Sequence, residues 1–140
     1  MIAWHNEGPP VTASMLRQVE RDLGVTFPAL LRAFYRHHNG GWPTTDEAHP
    51  LGVHGYFPIG AGETSLAGTY AALVGAAPRL TGLIPFAYDA GGNTFLAPGR
   101  DDGARPVLWL HQENEAVVLE HALDALLPPG PTVLIERGGD

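Results

Sequence analysis

Two apolar runs, "LIPFAY" at 83–88 and "TFLA" at 94–97, are joined by the short polar spacer "DAGGN" at 89–93. Asp and Asn favour turns because their side chains bond nearby backbone, and Gly91 and Gly92 can take the positive φ that a hairpin between the two runs requires. An antiparallel pair is therefore the first element to place. "PVLWLHQE" from Pro106 onward has the β-branched, aromatic and apolar content of a further half-buried strand, with the loop "PGRDDGAR" before it. Three or more antiparallel strands are expected.

The N-terminal third reads as helical. Thr12 is a good cap for "ASMLRQVERDL", in which Leu16, Val19 and Leu23 share one face with Met15 beside them, and Gly24 is placed to end the helix in the left-handed region. Pro28 stands where the first turn of a second helix tolerates a missing N–H. Leu30, Leu31, Phe34 and either Tyr35 or His38 form its buried stripe, and Asn39, Gly40 and Gly41 stop it. Trp42 to Pro50 reads as an exposed loop, and Val53 to Ile59 as an edge or bulged strand interrupted by Gly55 and Pro58. Thr64 is the expected cap of a third helix carrying Leu66, Tyr70 and Leu73 and ending by Gly75. "VVLEHALDALL" enters as strand and continues as helix on Leu119, Leu123, Leu126 and Leu127, and "TVLIE" at 132–136 is a candidate last strand. The sum is a single α+β domain over 1–140, an antiparallel meander sheet flanked by helices.

Charge narrows the partners. Eight arginines and no lysine stand against fifteen acidic residues, a net charge of −7, and phosphate contacts need a basic patch that this chain does not gather. Nucleic acid is disfavoured and a basic protein partner favoured. Cys is absent, which removes disulfides, thiolate catalysis and Cys-based zinc sites. No apolar run approaches membrane-spanning length, and "MIAWHNEGPP" has neither the basic start nor the apolar core of a leader, so a cytoplasmic, membrane-free protein is expected.

Four stretches could carry chemistry, and each has a simpler structural explanation. "GAGETSLAG" at 60–68 looks like a phosphate loop, but Ser65 replaces the last glycine of the dinucleotide pattern and a Walker loop needs lysine. His37 and His38 point about 100° apart on a helix, and His49 with His54, or His111 with Glu113, would need the fold to bring them together, so no metal is expected. Ser14 and Ser65 sit near helix starts with no nucleophile elbow around either. Asp101 and Asp102 occupy a glycine-flanked loop where solvated charge is usual. No catalytic residue and no cofactor are assigned; a small enzyme using His38 and Asp89 is the residual alternative.

Taken in order, "VERDLGVTFPALLRAFYRHHNGG", "FPIG", "LIPFAYDAGGNTFLA", "PVLWLHQEN" and "ALDALL" resemble the SMI1/KNR4 family of the SUKH superfamily. Glu20, Gly24, Pro28, Asn39, Gly40, Gly41, Asp89, Gly91, Gly92 and Asn93 occupy the places of its pattern. The end, "PPGPTVLIERGGD", departs from it, and the lysine-free composition is similar to that of high-GC bacterial genes. The resemblance implies an α+β fold and, as in many bacterial members, an immunity protein that neutralises a toxin such as a nuclease or deaminase; the fungal members imply the alternative of a regulatory module. An acidic patch covering a toxin's basic groove is the expected mode. Asp46, Glu47, Asp101 and Asp102 are its candidate charges and Trp42 its candidate aromatic anchor.

Overall fold

The computed structural model describes residues 4–43, 51–100 and 103–128. The first helix, α1, spans Ala13–Leu23; the Met15 N–H donates to Thr12 Oγ1 at 3.1 Å, and Gly24 ends it at φ 69° with its N–H on the Glu20 carbonyl. Leu16 is buried, and Met15, Val19 and Leu23 pack on the core beside it, so the expected stripe is the real one. The second helix, α2, spans Ala29–His37. Pro28 precedes its first residue rather than lying in its first turn, since the ring's fixed φ suits the entry and no N–H is lost to the helix. Leu31, Phe34 and Tyr35 form the buried face, while His38 has already turned extended, which decides the stripe for Tyr35.

Two-residue strands follow where a loop was expected: β1, Trp4–His5, pairs antiparallel with β2, Trp42–Pro43. The strand expected over 53–59 shrinks to β3, Gly55–Tyr56, because Pro58 cannot continue a ladder. The third helix, α3, runs Leu66–Ala76, and its cap is Ser65, not Thr64: the Gly68 N–H donates to Ser65 Oγ at 3.0 Å. A 3-10 turn at Pro78–Leu80 leads into β4, Leu83–Tyr88. Then come β5, Thr94–Pro98, β6, Val107–Leu110, and β7, Glu115–Val118. These five strands form one antiparallel sheet in the order β3-β4-β5-β6-β7, with a bulge between Pro85 and Ala87. The helix expected over the second half of 117–127 is only the 3-10 turn Leu123–Leu126. The candidate strand "TVLIE" lies outside the described residues.

Helix faces and sheet close on each other through alternation along β5. Phe95 and Ala97 join the main core with Leu16, Phe27, Leu31, Phe34 and Ile84, whereas Leu96 faces a smaller cluster with Leu80, Val107 and Trp109. The buried β5 is thus the spine of an α+β fold with apolar packing on both of its faces.

Candidate functional site

The turn at 89–93 is built as the sequence suggests, with one change. Asp89 and Asn93 close it, the Asp89 N–H donating to the Asn93 carbonyl at 3.0 Å and the Gly92 N–H to the Asp89 carbonyl at 3.2 Å. This is a three-residue loop in which a turn is followed by a left-handed residue. That residue is Gly92, at φ 88°; Gly91 has no positive φ, so only one of the pair uses the freedom expected of both. Asp89 Oδ1 accepts from the N–H groups of Gly91 (2.9 Å) and Asn93 (2.8 Å), and Oδ2 accepts from Asn93 Nδ2 (3.0 Å). His111, which sequence reasoning did not connect to the turn, clamps it from β6. Its N–H donates to Asn93 Oδ1 at 3.2 Å, and its Nε2 lies 3.1 Å from the Gly91 carbonyl, bound there as the Nε2–H tautomer.

Burial raises the pKa of Asp89, but the hydrogen bonds from Asn93, Gly91 and Gly92 outweigh it and hold the carboxyl below its ordinary value. A depressed folded pKa means stability that is full above the unfolded value of 3.8 and is lost as pH falls through the folded one. Asp89→Asn is therefore expected to cost about 1 kcal/mol at neutral pH. The deficit should shrink below pH 4, as followed by urea denaturation of both proteins across pH. A deficit that stays constant down to pH 2 would show that the charge is not what matters.

The second motif, Asn39–Gly41, is a junction. Asn39 is 2% exposed, and its amide donates to the carbonyls of Pro9 (2.8 Å) and Ile59 (3.1 Å) while Oδ1 accepts from the Ile59 N–H at 2.6 Å. Gly40 and Gly41 both have positive φ, and Trp4 Nε1 donates to the Gly40 carbonyl at 2.7 Å. Trp4 stacks on His38 with ring centres 3.8 Å apart, and His38 Nδ1 lies 3.1 Å from Glu7. Burial lowers the His38 pKa, and the neighbouring Glu7 offsets that only in part. His38 is thus engaged with Trp4 and Glu7, and Asp89 with its own turn.

Gly24 and Pro28 bound the connector between α1 and α2, and Glu20 reaches it from the last turns of α1. Glu20 accepts from the Phe27 N–H and from Arg32, each at 2.8 Å, and so fastens the connector over the buried Phe27. Asp46, Glu47, Asp101 and Asp102 lie outside the described residues. Among the described residues no three His, Asp or Glu side chains gather as a metal would need.

What the fold does bring together is Gly41 and Trp42 from one motif and Gly92 from the other, on the walls of one cleft of about 410 Å3. Tyr56, Phe57 and Tyr88 supply the rest of its aromatic lining, with Asn6 and Thr64 as its polar members. Ring centres run from His5 to Trp42 (6.1 Å), His54 (6.3 Å), Tyr88 (6.0 Å) and Phe57 (5.1 Å), so the aromatic surface is continuous. Gly55, opposite Tyr88 in the ladder, makes this possible, since a Cβ there would land on the Tyr88 hydroxyl. Burial pushes the Tyr56 and Tyr88 hydroxyls up from their ordinary value, and Tyr56 Oη donates to the Leu126 carbonyl at 2.8 Å.

The SMI1/KNR4 family (SUKH-1) model matches residues 10–127, which takes in both motifs, both sides of the cleft and all five strands of the sheet. The chain belongs to the SMI1/KNR4 family. No curated protein and no solved structure gives a significant match. In this SUKH-1 chain the Gly, Asn, Asp and Glu residues described above serve as backbone and packing devices: a helix end, a connector clamp, a buried junction and a self-bonded turn. No described helix is long and apolar enough to cross a membrane.

Proposed function

We propose that this SUKH-1 protein is a non-enzymatic immunity protein that neutralises a basic toxin, such as a nuclease or deaminase, by stoichiometric binding, with the aromatic cleft as the docking site. The observation that carries the reading is the chemistry of the cleft. Among its described lining residues the titratable groups are Tyr56 and Tyr88, both held protonated well above neutral pH by burial, so the walls offer chiefly contact area and stacking. Aromatic side chains around a preformed concavity are the usual anchors of protein interfaces, and half-buried Trp42 presents one without a large ordering cost. The net charge of −7 favours rapid encounter with a basic partner. Membership of a family that includes immunity proteins supports the role.

Co-purification with a toxin encoded beside the gene tests this. A one-to-one complex that abolishes the toxin's activity is expected, and Trp42→Ala should weaken it by about 2 kcal/mol, roughly thirtyfold, with the fold retained by circular dichroism. A neighbouring toxin that neither binds nor is inhibited ends the immunity reading; binding indifferent to Trp42 relocates the site.

A further inference from the structure

The far end of the sheet carries a second surface. The large apolar side chains that stand exposed among the described residues are Leu51, Val117 and Val118, at 50%, 38% and 68%, and two of them lie on β7. β7 is the terminal strand of the sheet, and no described strand pairs with its outer side. Its register sets which groups face outward. The Leu119 N–H donates to the Pro106 carbonyl at 2.9 Å, so by alternation Val117 and Glu115 direct their N–H groups to β6, and Ala116 and Val118 direct theirs away.

The apolar surface continues inward from that edge. Phe95 pairs with Leu108 and Leu108 with Val117, and directly opposed residues share a face, so the three form a row ending at the strand edge. Beside the row is a cavity of about 270 Å3 lined by Leu51, Phe95, Leu108, Leu119 and Leu126 with His121. Acidic side chains predominate here, with Arg105 just before the start of β6 as a neighbouring cation in the sequence. Glu113, Glu115, Glu120 and Asp124 are all exposed, and residues 106–128 contain no Arg. Arg79, which approaches from outside, is bound to the Asn114 carbonyl at 2.6 Å and packs 5.0 Å from the Trp109 ring centre.

We infer that the outer edge of β7 takes a basic, extended segment of a partner protein as a sixth strand. The outward N–H and C=O groups of Ala116 and Val118 supply the ladder, alternate apolar side chains of the segment share the face of Val117 and prolong the row from Phe95, and the cations between them lie on the face of Val118 and reach Glu120, with Glu113 and Glu115 adding longer-range attraction at low salt. This surface is separate from the aromatic cleft, and the inference stands or falls independently of the immunity reading.

The test uses the full chain and three synthetic peptides: ten residues of alternating Lys and Val, ten of alternating Glu and Val, and the chain's own residues 129–140. Amide exchange by NMR is expected to slow at Ala116 and Val118 with the Lys–Val peptide only, and salt should weaken the effect. Ala116→Pro removes an outward N–H and leaves the β6 ladder intact, and it is expected to lower affinity for that peptide tenfold or more. Should that variant fail to fold, the triple change Glu113→Gln, Glu115→Gln, Glu120→Gln is expected to lower the affinity at low salt by a similar factor. No slowing at these two amides, or equal slowing by the Glu–Val peptide, overturns the inference. So does protection already present in the free protein: if dilution removes it, a second copy occupies the edge, and if deleting 129–140 removes it, the chain's own end does.

Discussion

Gly41→Ala is expected to be the most damaging single-methyl change in the protein, costing about 2 to 5 kcal/mol or preventing folding. Two independent terms add. Gly41 sits at φ 74°, where an L side chain costs about 1 to 2 kcal/mol. The added Cβ would also land on the His5 carbonyl oxygen, with Trp4 Nε1 at 2.8 Å and the Asn6 carbonyl carbon at 3.1 Å. None of these atoms can yield cheaply. His5 is held in the ladder opposite Trp42, and the Gly41 carbonyl itself accepts from the Tyr56 N–H at 2.9 Å, so backbone is packed on both sides. Overpacking of this kind adds about 1 to 3 kcal/mol. Urea denaturation measures the loss, and Gly75→Ala is the control, because a Cβ there meets nothing within 4 Å and its helical position favours alanine. A Gly41→Ala deficit below 1 kcal/mol would mean that β1 and β2 are not packed as described.

Asn39→Leu is expected to cost about 3 to 4 kcal/mol. The side chain is close in size, so the loss isolates hydrogen bonding: the Ile59 N–H and the carbonyls of Pro9 and Ile59 are left without the Asn39 amide in a site that is 2% exposed. Each buried group left unsatisfied costs about 1 to 3 kcal/mol, partly recovered by the apolar replacement. Asn39→Asp should lose nearly as much, since its second oxygen would face two carbonyls that need a donor. Denaturation of both variants decides the point. If leucine is tolerated within 1 kcal/mol, the junction is not fastened by this amide.

The three helices and β4 to β6 are legible because apolar content, caps and turn residues act locally: Leu16, Val19 and Leu23 announce one face, and the 89–93 spacer announces a hairpin; of the exposed β7 only Val117 and Val118 fall in the expected strand. The errors arose where local signals ran out. Thr64 and Ser65 are both cap residues side by side in the sequence, and it is Ser65 that accepts the Gly68 N–H. Strands of two residues such as Trp4–His5 carry no periodicity, and the spacing of Leu123 and Leu126 fits a 3-10 turn as well as an α-helix. The cleft was the least legible, because Trp42, Tyr56, Tyr88 and Gly92 meet only through the ladder order and the Asn39 junction. Trp42, a candidate anchor by residue type, does line the cleft, whereas Tyr56 and Phe57 lie in a stretch whose sequence reads simply as an edge or bulged strand.

The order of the sheet has a bearing on avidity. The cleft belongs to the β3 end and the proposed strand-acceptor edge is β7, four strand spacings away. At about 4.8 Å per strand this is roughly 19 Å, which an extended chain covers in about six residues at ~3.3 Å each. One partner with an aromatic-seeking loop and a basic strand separated by such a tether could hold both ends at once, and its second contact would form at the millimolar effective concentration typical of short linkers. Two separate partners, each using one end, would not exclude one another.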